Sequence, residues 1–101
     1  MKYNKLIRDR IPEIIAAKGQ IAITHIANNK EYWERLLEKF AEEVKEFAES
    51  SSEEEMADVL EVLYALCDAK GIDREHLEAL RKKKAEERGG FKKKIILDET
   101  K

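Results

Sequence analysis

The sequence has one cysteine, no long apolar run and almost no net charge. The single cysteine, Cys67, excludes an internal disulfide and is typical of a reducing compartment. No segment approaches the roughly 18 apolar residues that a membrane span needs, and the first residues lack the apolar region of a signal peptide. The formal net charge is only −2 although 42% of residues are charged, so no bulk attraction to nucleic acid or membrane is expected. These absences predict a cytoplasmic protein that binds neither nucleic acid nor a membrane.

Apolar residues are plentiful, at 43% of the 101 residues, and this composition favours a globular fold over disorder. The length predicts one domain over residues 1–101, with a core of its own but small enough to depend on a partner subunit. No internal repeat, linker or low-complexity tail interrupts the chain.

Apolar residues at helical spacing, bounded by capping residues, predict four helices. Pro12 suits the first turn of the first helix, and Gly19 suits its C-terminal cap. The predicted helices span about residues 12–18, 29–50, 52–70 and 74–88. Their N-terminal caps are Asn28 or Asn29 for the second helix, Ser51 or Ser52 for the third and Asp73 for the fourth.

Two short segments alternate apolar and polar residues instead. "QIAITHIA" predicts a strand near 21–26, and "FKKKIILDE" after the double glycine predicts a second strand that could pair with it. The sequence therefore predicts a mainly all-α fold. Its bundle of about four helices is built on a helical hairpin and completed by oligomerisation, with a small two-stranded element near the termini.

Eight carboxylates crowd residues 42–60, "EEVKEFAESSSEEEMADVL". Glu43 and Glu46 precede the serines with i, i+3 spacing, and Glu55 and Asp58 follow them with the same spacing. Helices joined by so few residues should form an antiparallel hairpin, in which residues equally far from the turn lie side by side. Glu46 should then lie at the level of Glu55, and Glu43 at the level of Asp58.

These four acids are predicted to face inward. At about 100° per residue, Glu55 lies close to the apolar stripe that contains Val62. Partly buried carboxylates repel one another and resist desolvation, and a divalent cation would relieve both effects. Oxygen ligands without nearby histidine or cysteine favour Mg²⁺ or Mn²⁺ over zinc. The alternative is that these are ordinary surface glutamates of a charge-rich hairpin.

The third predicted helix carries a second apolar stripe, formed by Met56, Leu60, Leu63 and Cys67. A helix that is apolar on most sides needs cover on most sides. We expect a homodimer or homotetramer to supply that cover. The alternative is that the first and fourth helices cover the stripe within one chain.

The acidic motif and both flanking segments together resemble a known family. "EEVKE" followed by "EEEMADVLEVL" resembles the ExxE…ExxD signature of the MazG-like all-α nucleoside triphosphate pyrophosphohydrolases. "YNKLIRDRIPEII" and "ERGGFKKKIIL" are similar to the ends of its small single-domain branch, often labelled phosphoribosyl-ATP pyrophosphohydrolase-like. The similarity covers nearly the whole chain. In one departure, only eight residues separate Glu46 from Glu55, which is fewer than is typical, although the register is preserved.

The resemblance implies Mg²⁺-dependent hydrolysis of a nucleoside triphosphate between its α- and β-phosphates, giving a monophosphate and pyrophosphate. It also implies that the metal-binding and catalytic residues of the family correspond to Glu43, Glu46, Glu55 and Asp58. One of these acids, or a neighbour such as Glu42 or Glu54, could act as base toward the attacking water.

A triphosphate also needs cations, which the acidic hairpin lacks. Arginine binds phosphate oxygens bidentately, and the double glycine would let the backbone approach a ligand. The predicted substrate-binding residues are Lys5, Arg8, Arg10, Lys84 and Arg88. For the last two, the alternative is that a lysine-rich helix end complements the helix dipole and keeps the protein in solution.

Two other functions stay open from the sequence. One is hydrolysis of phosphoribosyl-ATP by the same bond cleavage. The other belongs to a different class: a non-catalytic helical module that acts as an oligomeric binding partner, with its acids exposed on the surface.

Overall fold

Four helices form the computed structural model of this protein, which describes residues 2–101. They are α1 (Ile11–Ala17), α2 (Asn29–Ser50), α3 (Glu53–Ala69) and α4 (Arg74–Arg88). The all-α class is confirmed, and each helix begins and ends within two residues of its predicted limits. The predicted N-terminal caps form as well, with side-chain oxygens of Asn28, Ser52 and Asp73 accepting from backbone N–H groups in the first turns of α2, α3 and α4. No described helix is long and apolar enough to cross a membrane.

Two serines reverse the chain between α2 and α3. Ser51 adopts a left-handed conformation (φ 55°, ψ 27°), and its N–H donates to the Phe47 carbonyl, which closes the C-terminal end of α2. Ser52 is extended, and its hydroxyl accepts from the N–H of Glu55. A connection this short folds α3 back along α2, so the two helices form the predicted hairpin. Within residues 2–101, no other pair of helices packs extensively.

The hairpin holds a very small core. Its buried apolar side chains are Leu36, Val62 and Cys67, while Met56 and Leu60 of the second α3 stripe stay nearly half exposed. The radius of gyration is 18.1 Å, well above the roughly 13 Å of a compact domain of about 100 residues. One chain therefore leaves much of its apolar surface uncovered.

The fourth helix is attached to the hairpin at its first residue. The Arg74 guanidinium lies 4.1 Å from the centre of the Tyr64 ring, and it donates to Asp68 at 3.1 Å. Beyond this anchor α4 does not pack extensively on α2 or α3. The alternative that the first and fourth helices cover the second stripe of α3 within one chain is wrong for its first half, because neither helix packs extensively on α3 and Met56 and Leu60 stay nearly half exposed, whereas Cys67 is buried.

The two predicted strands do not form in the part of the chain that the structure describes. Residues 20–28 and 91–101 contain no strand, and their large apolar side chains are exposed, with Ile23 and Ile26 each 96% exposed. Alternating apolar residues favour an extended chain, but a ladder also needs a hydrogen-bonded neighbour. An isolated pair of strands is marginal in water, and neither segment rests on a helix that would hold it beside the other.

Candidate metal centre

The acidic cluster lies where α2 and α3 face each other. One carboxylate oxygen from each of Glu43, Glu55 and Asp58 lies within 4.8 Å of the other two. Glu46 extends this group, because its charge lies close enough to Glu55 to raise the pKa of that carboxyl. The structure thus brings together the four predicted acids and confirms that Glu46 lies beside Glu55 and Glu43 beside Asp58.

Two of these carboxylates each have a buried oxygen that lacks a partner. Glu43 is only 6% exposed, and one of its oxygens, Oε1, lies 3.4 Å from the Lys39 ammonium. Its other oxygen, Oε2, is buried and has no hydrogen-bond partner within residues 2–101, and the same holds for Oε2 of Glu55. Buried polar atoms are nearly always hydrogen-bonded, and a buried unpaired carboxylate oxygen is costly. Both oxygens are therefore positioned to accept a cation.

The pKa of Glu55 reflects the same crowding of buried negative charge. Its pKa is raised above the ordinary 4.5, first because burial disfavours the charged form and then because Glu46, Asp58 and Glu43 carry like charge nearby. A carboxylate among other carboxylates holds its proton more tightly when no cation is present. A divalent cation would reverse this effect, because it favours the ionised form.

Basic residues of the N-terminal segment reach the cluster. Nη2 of Arg8 donates to Oδ1 of Asp58 at 2.7 Å, and Nζ of Lys5 lies 3.2 Å from Oε1 of Glu42. The two predicted cations Lys5 and Arg8 are thus beside the acids, although they bind carboxylates here. Both pairs lie near the surface, with the Arg8 side chain 56% exposed.

A groove of about 430 Å³ opens beside the cluster. The N-terminal segment and α1 form one wall, and α2 and α3 form the other. Its acidic lining residues are Glu43, Asp58, Asp9 and Glu61, and its basic ones are Arg8, Arg10 and Lys39. Tyr32 lies among its apolar side chains. The groove therefore places arginine and apolar side chains beside the acidic cluster.

The remaining predicted cations stand apart from the acids. Arg10 lines the groove but pairs with Glu13 at 2.9 Å. Lys84 and Arg88 are exposed on α4 and do not line the groove. Their role as substrate ligands stays a prediction. It would require α4 of one subunit to lie beside the acidic cluster of another.

The site also contains two side chains that were not predicted from the sequence as ligands. Glu42, weighed only as a base, forms a second trio with Glu43 and Glu46, whose carboxylate oxygens lie within 4.8 Å of one another. Lys39 pairs with Glu43 and was not singled out at all. Its i, i+4 position was the available signal, because residues at that spacing meet on one helix face.

The residues present fit a hard divalent cation. The donors are carboxylate oxygens on two packed helices, and two buried oxygens lack partners. No histidine or cysteine belongs to either trio. This donor set suits hard cations, which prefer oxygen ligands.

Comparisons with known proteins add little to this geometry. No known protein family matches the chain, and no solved structure matches it. An uncharacterized protein of Mycolicibacterium smegmatis (strain ATCC 700084 / mc(2)155) is 45% identical over 42 residues, which is 42% of this chain. The match spans 43% of that relative's length, so the two proteins are similar over less than half of each.

Proposed function

We propose that this protein is a cytoplasmic, Mg²⁺-dependent nucleotide pyrophosphohydrolase that cleaves nucleoside triphosphates to a monophosphate and pyrophosphate. Mn²⁺ is expected to substitute. One observation carries the proposal: buried, unpartnered oxygens of Glu43 and Glu55 converge with Asp58, and Glu43 and Asp58 line a groove that also carries arginine. Acids that can hold a metal, with arginine beside them, are what hydrolysis of a charged phosphate ester or anhydride requires.

In this proposal Glu43, Glu46, Glu55 and Asp58 hold the cation. The metal, when bound, supplies charge neutralisation for the phosphates and lowers the pKa of a coordinated water. The protein contributes the fixed positions of the carboxylates on two capped helices, and one carboxylate accepts the proton of the attacking water. Glu42 is the best placed additional base, because it lies in the second trio and is only partly buried.

The groove suits a nucleotide in size and chemistry. Arg8 and Arg10 would bind phosphate oxygens beside Glu43 and Asp58, because fork-shaped guanidinium groups form paired hydrogen bonds with phosphate. Tyr32 and neighbouring apolar side chains would cover a base or sugar. Cleavage of phosphoribosyl-ATP would use the same residues, and rescue of a histidine auxotroph would separate that substrate from the common triphosphates.

The test is a screen of nucleoside triphosphates with detection of released pyrophosphate, run with Mg²⁺ and with EDTA. We expect metal-dependent pyrophosphate release from at least one nucleotide. Release of phosphate instead of pyrophosphate would contradict the cleavage position. No hydrolysis together with no metal binding would favour a non-catalytic helical module, which the exposed apolar segments also fit.

Replacement of Arg8 by alanine should weaken substrate binding without unfolding the protein. The Arg8 side chain is more than half exposed, so its loss removes charge but little packing. We expect the KM for the nucleotide to rise about tenfold, the effect of losing one charge-assisted contact. Steady-state kinetics at saturating Mg²⁺ provide the measurement, and Arg88→Ala is the comparison: an equal rise would show that α4 of another subunit reaches the groove.

We also propose that the protein is a homodimer or homotetramer. Met56 and Leu60 of α3 remain nearly half exposed on a chain with a very small core. Leu60→Glu should dissociate the assembly, because a charge would be buried without a partner. Light scattering across micromolar concentrations, with circular dichroism to separate dissociation from unfolding, checks this. A wild type that is strictly monomeric would contradict the proposal.

A further inference from the structure

Residues 2–10, the N-terminal strap, are held against the hairpin by side chains. The strap contains no helix or strand, and its described backbone forms no hydrogen bond to α2 or α3. Its ionic attachments are the pairs Arg8–Asp58 and Lys5–Glu42, which join positions 50 and 37 residues apart. A segment attached in this way can be released without breaking secondary structure.

The contact of Arg8 is directed at one member of the acidic cluster. Arg8 donates to Asp58 at 2.7 Å, whereas Oε2 of Glu43 and Oε2 of Glu55 have no hydrogen-bond partner within residues 2–101. The guanidinium therefore neutralises the outer acid, which is 39% exposed, and does not reach the unpartnered oxygens of the inner two. A small divalent cation could approach all three, because their oxygens lie within 4.8 Å of one another.

A cation at this cluster would change the attraction between Arg8 and Asp58. Mg²⁺ binds carboxylate oxygen at about 2.0–2.1 Å and neutralises its charge. The doubly positive ion also repels a guanidinium held on the same carboxylate. Binding of the metal and the Arg8–Asp58 pair therefore oppose each other.

We propose that Arg8 is an internal counter-ion for Asp58 that a divalent cation displaces, and that the displaced guanidinium then serves the phosphate of the substrate. The proposal rests on the metal site proposed above and adds its regulation. It orders the steps: the metal binds first, and Arg8 becomes available in the groove afterwards. Because coupling is reciprocal, an anion that engages Arg8 should in turn tighten metal binding.

The test compares Mn²⁺ binding to wild type, Arg8→Gln and Arg10→Gln by calorimetry in the absence of nucleotide. Both variants lose one positive charge from neighbouring positions, but Arg10 pairs with Glu13 and not with the cluster. We expect Arg8→Gln to bind Mn²⁺ about two- to fivefold more tightly than wild type, as loss of a surface ion pair with a ligand implies. Arg10→Gln should bind Mn²⁺ with nearly the wild-type Kd.

Thermal unfolding provides a second measurement that does not depend on activity. Arg8→Gln should lower the melting temperature in EDTA, where the ion pair exists, and the difference from wild type should shrink at saturating Mn²⁺. If wild type binds Mn²⁺ but Arg8→Gln binds it equally or less tightly, the displacement is wrong and the metal site stands. If wild type binds no Mn²⁺, the proposed function and the displacement both fail.

Discussion

Replacement of Glu55 by glutamine is expected to abolish hydrolysis while leaving the metal-free protein at least as stable as wild type. We expect the rate to fall by more than about 100-fold, because loss of an outer-shell partner of a metal ligand already costs about 10–100-fold. Stability should not fall, because burial and three neighbouring acids oppose the charge of Glu55, as its raised pKa records. The amide keeps the shape of the side chain and removes that charge.

The matched control for this variant is Glu53→Gln. Glu53 and Glu55 both lie in the first turn of α3, where a negative charge interacts favourably with the helix dipole. Glu53 is exposed and belongs to neither acidic trio. We therefore expect Glu53→Gln to retain activity and to lose a little stability. The difference between the two variants isolates the contribution of the cluster.

Glu55 is a better test than Asp58 because the two acids differ in their partners. Asp58 accepts a hydrogen bond from Arg8, so Asp58→Asn weakens an ion pair as well as a metal site. A small loss of stability of Asp58→Asn in EDTA is therefore consistent with the metal site. The same loss in Glu55→Gln would argue against it. A Glu55→Gln protein that is clearly less stable in EDTA and still hydrolyses nucleotides would identify a structural network instead.

The helices and the register of the acids could be predicted because both depend on local rules. Asn28, Ser52 and Asp73 mark helix starts through a hydrogen bond to a backbone group two or three residues away. A short turn then leaves one geometry for the hairpin, which is why Glu46 was expected beside Glu55. Spacing on the helices placed the same acids on the inner face.

Long-range contacts followed no such rule. The sequence presented Arg8 as a phosphate ligand, and nothing in its spacing indicated a hydrogen bond to Asp58, 50 residues away. The position of α4 was equally open, because this helix carries many charges and few apolar residues that would select a packing partner. The strand predictions failed for a related reason. Alternation of apolar and polar residues in 21–26 is a local pattern, whereas a sheet also needs a second segment that forms hydrogen bonds with the first.

Mg²⁺ should raise the melting temperature of wild type. The cation binds the native cluster, and unfolding separates α2 from α3 and so destroys the site. At a free concentration 100 times Kd, binding to the native state alone adds about 2.7 kcal/mol to the free energy of unfolding. For a domain of about 100 residues this corresponds to a rise of roughly 10–20 °C.

If the rise in melting temperature depends on particular acids, it reflects a specific metal site and not general screening of charge by salt. Glu49 is an exposed acid of α2 outside both trios, so Glu49→Gln should respond to Mg²⁺ as wild type does. Glu43→Gln should lose most of the response, because it replaces the buried ligand shared by the two trios. Differential scanning fluorimetry at constant ionic strength, with Na⁺ replacing Mg²⁺ in the reference, measures each shift. Equal shifts in the two variants would mean that Mg²⁺ acts on the surface charge of the whole hairpin, and the buried oxygens of Glu43 and Glu55 would then need another partner.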